Sequence, residues 1–188
     1  STLMRSSAAS DVYKRQEWKR ACKALGGVFL ELSETSNTHI NIMDIRLRDD
    51  KADELIDGTT EPKSALIAKI TSLKDFFSLL VPNLEAQAKD NMLSDLDNVL
   101  LNVYKSKGIT KDNESVLNPD GSYKTMPLLE DVYIEGSKPE YTYMKPLLQQ
   151  LHKFVYGSCK VFNNYTNVVL DNLYTVLDVS NCSKDLLS

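Results

Sequence analysis

Apolar side chains recur at intervals of three and four over two long stretches in the middle of the chain. Leu66, Ile67, Ile70, Leu73, Phe76, Phe77 and Leu80 form the first series; Met92, Leu93, Leu96, Val99, Leu100, Val103 and Tyr104 form the second. Residues three and four apart share a helix face, so the spacing predicts two amphipathic helices. Residues 59–62 (TTEP) supply a start for the first, because Thr hydroxyls cap free amides and Pro fits the first turn. Pro82-Asn83 separates the two series, with Asn83 the expected cap of the second, and Gly108 closes it. Two long helices joined by so few residues are expected to lie antiparallel.

Beyond Gly108 the pattern loosens. Residues 111–124 are polar, and Asn118-Pro119-Asp120-Gly121 reads as a turn. Residues 127–134 suggest a short helix stopped by Gly136. Residues 141–156 suggest another, with Met144, Leu147, Leu148, Leu151, Phe154 and Val155 apolar. Pro146 cannot donate to an upstream carbonyl, so that helix starts close to it or is kinked there.

The flanks follow a different grammar. Residues 17–25 (EWKRACKAL) read as a helix with Trp18, Ala21, Cys22 and Leu25 on one face, ended by Gly26-Gly27. Residues 28–32 (VFLEL) read as a strand, followed by a polar loop and residues 40–45 (INIMDI). At the other end, residues 162–167 are a turn-forming run of Asn and Thr. Residues 173–179 read as a second strand carrying Tyr174, Val176 and Leu177 and closed by Asp178 and Ser180-Asn181. The helices therefore look like an insertion between two strands.

Composition narrows the class. Hydrophobic residues make up 42% and charged residues 26%, as in an ordinary soluble globular protein. A net charge of −4 argues against a broad nucleic-acid or anionic-membrane surface. No apolar run approaches the roughly 20 residues of a membrane span. Cys22, Cys159 and Cys182 are odd in number and lack a C-x-x-C, so they form neither a disulfide framework nor a zinc site, and a reducing cytoplasm is the simplest setting. Residues 7–16 (SAASDVYKRQ) look like translated sequencing-adapter sequence of the kind found at the ends of metagenomic reads. Residues 1–16 are accordingly expected to be a non-native leader.

The run of residues 162–181, FNNYTNVVLDNLYTVLDVSN, carries a resemblance. Phe162, Asn163, Thr166, Asn167, Val168, Leu170, Asp171, Asn172 and Asp178 follow the order of a segment in the conjugative-transfer and type IV secretion ATPases, a branch of the HerA/FtsK-like P-loop motors. Val169 and residues 173–175 depart from that order. Upstream, Trp18, Leu25, Gly26, Gly27, Ile40, Asn41, Asp44 and Ile45 resemble the same family, and residues 108–110 (GIT) and 128–133 (LLEDVY) match more softly. The resemblance spans essentially everything after residue 16. It implies a mostly α fold with short β: a helical subdomain inserted between strands of an incomplete α/β P-loop core. The implied boundaries are residues 17–48 for the edge of that core, 49–157 for the inserted helical subdomain, and 158–188 for the return segment and strand.

The resemblance further implies an internal fragment of a cytoplasmic motor, with a place at the inner face of the membrane open to the parent. The parent would use ATP and magnesium to power conjugative DNA transfer or type IV secretion. Its partners would be other subunits of the same ATPase and secretion-channel proteins. Little chemistry is legible in these 188 residues themselves. The string G-x-x-x-x-G-K-[ST] that cradles phosphates is missing, and no apolar strand ends in an Asp-Glu pair of the Walker B type. No catalytic residue, cofactor or metal ligand is therefore expected here. His39 and His152 lack ligand-spaced partners, and the acidic run at residues 49–57 fails the calcium-loop pattern. Four residues are candidates for the edge of a nucleotide pocket: Asn41, Asp44, Thr166 and Asn167. For Asn41 and Asp44 the competing and favoured reading is turn and capping chemistry. The rival for the whole chain is an independent helical protein–protein interaction module without nucleotide binding.

Overall fold

The computed structural model describes residues 28–33, 39–47, 63–157, 163–165 and 175–181. The chain divides into two compact units, His39–Thr166 and, from its two ends together, Ser1–Thr38 with Asn167–Ser188. The expected helix over residues 17–25, the Gly26-Gly27 stop and the candidates Thr166 and Asn167 lie outside the described residues.

In the second of these units, β1 (Val28–Ser33) pairs with β2 (Thr175–Asn181). The pairing is parallel, with Val28 opposite Thr175, Leu30 opposite Leu177 and Glu31 opposite Asp178, and an irregularity follows before Ser33 meets Asn181. Parallel neighbours cannot be joined by a hairpin and need a long connection. Here the whole helical unit stands between them in the chain.

Four α-helices are described in His39–Thr166: α1 (Ala65–Leu79), α2 (Ala86–Ser106), α3 (Leu129–Gly136) and α4 (Lys145–Val155). Ser64 is the cap of α1, with extended backbone and its hydroxyl accepting from the Ile67 amide at 3.4 Å, while residues 59–62, the expected start, lie outside the described residues. The side chain of Asn113, in a short 3-10 turn (Asn113–Val116), adds to this by accepting from the Ala65 amide at 2.8 Å. Leu66, Ile70, Leu73 and Phe77 are buried as the period requires, while Ile67 at the edge of the stripe is 41% exposed.

Asn83 does not cap α2. It sits inside a turn in which the Leu84 amide reaches the Val81 carbonyl at 3.2 Å. Glu85 takes the role, its carboxylate accepting from the Gln87 and Ala88 amides at 3.3 and 3.4 Å. A carboxylate there also suits the positive end of the helix. Met92, Leu96, Val99, Leu100, Val103 and Tyr104 form the buried face of α2. α1 packs on α2, α2 on α3 and α3 on α4. Gly108 ends the run with φ of 75°, a left-handed conformation that an L side chain adopts only at a cost.

After α2 the chain turns through Ile109 and Val116, both buried, and the 118–121 turn closes with the Gly121 amide on the Asn118 carbonyl at 2.9 Å. α3 reaches Gly136, and α4 begins with Pro146 in its first turn. Pro146 thus marks a start and not a kink. Leu129, Val132, Met144, Leu147 and Leu151 carry the core across both helices.

Candidate functional site

Residues 39–47 are not a regular element, yet they supply core side chains: Ile40, Met43 and Ile45 are buried. A tight turn makes this possible, with the Asp44 amide on the Asn41 carbonyl at 3.1 Å. Asn41 is itself buried and works on several sides. Its side-chain oxygen accepts from the Met43 amide at 3.1 Å, and its side-chain nitrogen donates to the Pro127 carbonyl at 2.8 Å and to Asp44 Oδ1 at 3.2 Å. These are the bonds of an Asx turn, extended to a distant segment. The Tyr104 phenol donates to the Met43 carbonyl at 2.6 Å, fastening the same turn to α2.

Asp44 gathers charge around it. Arg46 lies 3.6 Å from its carboxylate, and the Arg46 guanidinium sits 4.4 Å above the centre of the Tyr123 ring. Lys69 of α1 reaches the Ile42 carbonyl at 3.4 Å. Burial pushes the Lys69 ammonium down from its ordinary pKa, and the Asp44 carboxylate opposes that shift. Asp44, Arg46, Tyr123, Lys124, Thr125, Met126 and Tyr165 line an open cleft of about 450 Å³. Lys124 is anchored at the rim, its ammonium donating to the Gly108 carbonyl at 2.9 Å.

The cleft brings together stretches far apart in the chain. Asp44 and Arg46 come from the incoming segment, residues 123–126 from the stretch before α3, and Tyr165 from the Asn-rich run. Asn163 of that run accepts at its side-chain oxygen from the Glu130 amide at 2.8 Å, capping the first turn of α3. Leu128, the residue at the cap position, has no oxygen to offer, and Asp131 satisfies the Leu128 amide from within the helix at 2.7 Å.

The cations beside this cleft are already engaged. Arg46 is already held by Asp44 and Tyr123, and Lys124 by a backbone carbonyl. The α3 amide that could meet an anion is taken by Asn163, and the Asp44 carboxylate repels phosphate. Among the described residues, no group of three or more His, Cys, Asp or Glu could hold a metal ion. None of the described helices is long and apolar enough to cross a membrane.

The solved structure of VirB4 of Thermoanaerobacter pseudethanolicus matches over 91% of this chain at 25% identity, with a TM-score of 0.56. The chain is a relative of the VirB4-type secretion ATPases. It spans 42% of that VirB4 chain. No protein-family model and no curated protein sequence matches it. The VirB4 relationship agrees with what residues 40–45 and 162–167 suggested by sequence, and of the residues those stretches nominated, Asn41 and Asp44 come to the turn beside the cleft. Sequence reasoning missed Arg46, Tyr123 and Tyr165 as its neighbours, because a cation–ring contact between positions 46 and 123 leaves no local trace.

Proposed function

We propose that this chain is the helical subdomain, with an adjoining strand pair, of the motor domain of a VirB4-type ATPase that powers type IV secretion or conjugative transfer. The structural match over 91% of the chain carries the proposal. The parallel pairing of β1 and β2 across the helical unit supports it, since parallel strands with long helical connections are the habit of α/β cores. In this reading the helical unit is an insertion between strands of a P-loop core. ATP and magnesium belong to parts of the motor that carry the phosphate-binding loop, a string these 188 residues do not contain. The unit itself supplies packing and contacts to other ATPase subunits and to channel proteins at the cytoplasmic face of the membrane.

A second reading is favoured by one observation. His39–Thr166 encloses its own core, with Phe77, Leu96, Leu100 and Leu151 fully buried, as an independent interaction module would. Sequencing the DNA on both sides of this coding stretch separates the two. A motor predicts a P-loop upstream of residue 17 and an apolar strand ending in Asp-Glu downstream of residue 188. An open reading frame with neither would refute the motor and leave the module.

A further inference from the structure

The chain enters the helical unit at His39 and leaves it at Thr166, and both ends are fastened to the same short stretch. On the incoming side, Asn41 donates to the Pro127 carbonyl at 2.8 Å, and the Leu47 amide donates to the Tyr123 hydroxyl at 3.0 Å. On the outgoing side, Asn163 accepts from the Glu130 amide at 2.8 Å. We propose that residues 123–131 are a coupling strap, through which loosening of the outgoing segment at Asn163 loosens the incoming segment at Asn41 and Leu47, and the reverse.

The physical case begins at the first turn of α3. The Asp131 amide bonds the Leu128 carbonyl at 3.0 Å, but the Glu130 amide takes its partner from Asn163, and the Leu128 side chain has no oxygen to replace it. The Glu130 amide is therefore satisfied only while Asn163 is docked. Pro127 lies immediately before that turn, and its carbonyl is the buried partner of the Asn41 side chain. A buried amide and a buried carbonyl that lose each other both bear the desolvation penalty. Fraying the first turn of α3 moves Pro127, and moving Pro127 breaks its bond to Asn41, whose other bonds set the turn of the incoming segment. The contact runs equally well backwards. The strap has its own anchors, Met126 and Leu129, both buried, so it shifts as a piece and not residue by residue. A pull on the chain beyond Thr166 is thereby felt at His39. This coupling involves no nucleotide and stands or falls separately from the secretion-ATPase reading.

A double-mutant cycle on the full chain tests it, with Tyr123→Phe removing the incoming bond and Asn163→Ala the outgoing one. Neither side chain is buried, so both variants fold. The equilibrium constant for unfolding is read from helical circular dichroism in urea. With the strap coupled, the second substitution costs little once the first is made, and the double variant falls short of the product of the single losses by about threefold or more. Asn163→Asp keeps the acceptor oxygen and restores wild-type behaviour in the same cycle. A control pairs Asn163→Ala with Asn102→Ala, which cuts the 2.8 Å bond to Tyr141 away from the strap, and there the losses multiply. Losses that multiply in the Tyr123 cycle overturn the proposal. A shortfall of equal size in the control overturns it too, since that would be a general property of the fold.

Discussion

Tyr104 ties the incoming segment to α2, and replacing it by Phe isolates one hydroxyl. The ring is fully buried in the helical core, and a Phe ring fills the same space. What is lost is the 2.6 Å bond to the Met43 carbonyl, in a place water does not reach. An acceptor left unpaired in such a site costs about 1–3 kcal/mol, so Tyr104→Phe should destabilise the unit by that amount at neutral pH. Burial raises the Tyr104 phenol well above its ordinary pKa, and the Asp44 carboxylate adds to the rise. A raised pKa means that the folded state keeps the proton after the unfolded chain has lost it. The stabilising contribution is thus intact below the unfolded value of about 10 and declines above it, by about 1.4 kcal/mol for each further pH unit. The Phe variant has no such proton to lose. The gap between wild type and variant should then close by about 1.4 kcal/mol between neutral pH and about pH 11, the other tyrosines cancelling in the comparison. Urea unfolding of both proteins at the two pH values measures it. An unchanged gap would show that the phenol is not desolvated in the folded protein, and no loss at neutral pH would show that the Met43 carbonyl finds another donor.

Phe77→Ala and Leu96→Ala empty fully buried positions on the facing stripes of α1 and α2 and should each cost about 2–5 kcal/mol in thermal or urea unfolding; silence at both would mean that the buried faces are wrongly assigned. Gly108→Ala places a Cβ at a φ of 75° and 3.1 Å from the Lys124 ammonium, and a loss of about 1–2 kcal/mol is expected from the left-handed backbone. Burial pushes the Glu135 carboxyl up, but bonds from Lys138 at 2.6 Å, Tyr141 at 3.1 Å and Asn102 at 3.5 Å together hold it below its ordinary value. A depressed carboxyl gives stability that is present above its unfolded pKa and is lost as pH falls through the folded one. Tyr141→Phe should move the Glu135 midpoint upward in a carboxyl-resolved NMR titration, and an unmoved midpoint would exclude the phenol bond.

The helical faces were legible because burial along α1 and α2 follows the 3.6-residue period that the apolar spacing displays. Leu73, Phe77, Met92, Leu96, Leu100 and Tyr104 are buried where the pattern puts them. The strands were legible from composition, although the start of β2 at Thr175 and the parallel register are not written in either strand alone. Three features were not legible, each for a physical reason. Asn83 is by type the better cap and Glu85 is the one used, because the turn after Pro82 absorbs Asn83 before the helix begins. Ile40, Met43 and Ile45 are core residues at a spacing that fits neither helix nor strand, since the Asn41 turn resets their directions. The cleft depends on contacts such as Arg46 over Tyr123, for which sequence separation is no guide.

A common cause lies behind what was hidden. Asn41, Asn113 and Asn163 each bond backbone groups far along the chain, at separations of 86, 48 and 33 positions. Each looks, in sequence, like a local turn residue. An Asn side chain offers both a donor and an acceptor, so it can satisfy a stray carbonyl or a leading helix amide wherever the fold brings one. Apolar burial is non-directional: it drives α1, α2, α3 and α4 together without fixing how the connecting segments seat. The directional bonds of these asparagines do that, two at helix N-termini and one at the Pro127 carbonyl. Periodicity therefore reports which surfaces meet, whereas the geometry around the cleft depends on a few polar side chains whose partners only the folded chain reveals. This is why the candidate residues Asn41 and Asp44 could be nominated from the sequence while the strap that Asn41 grips could not.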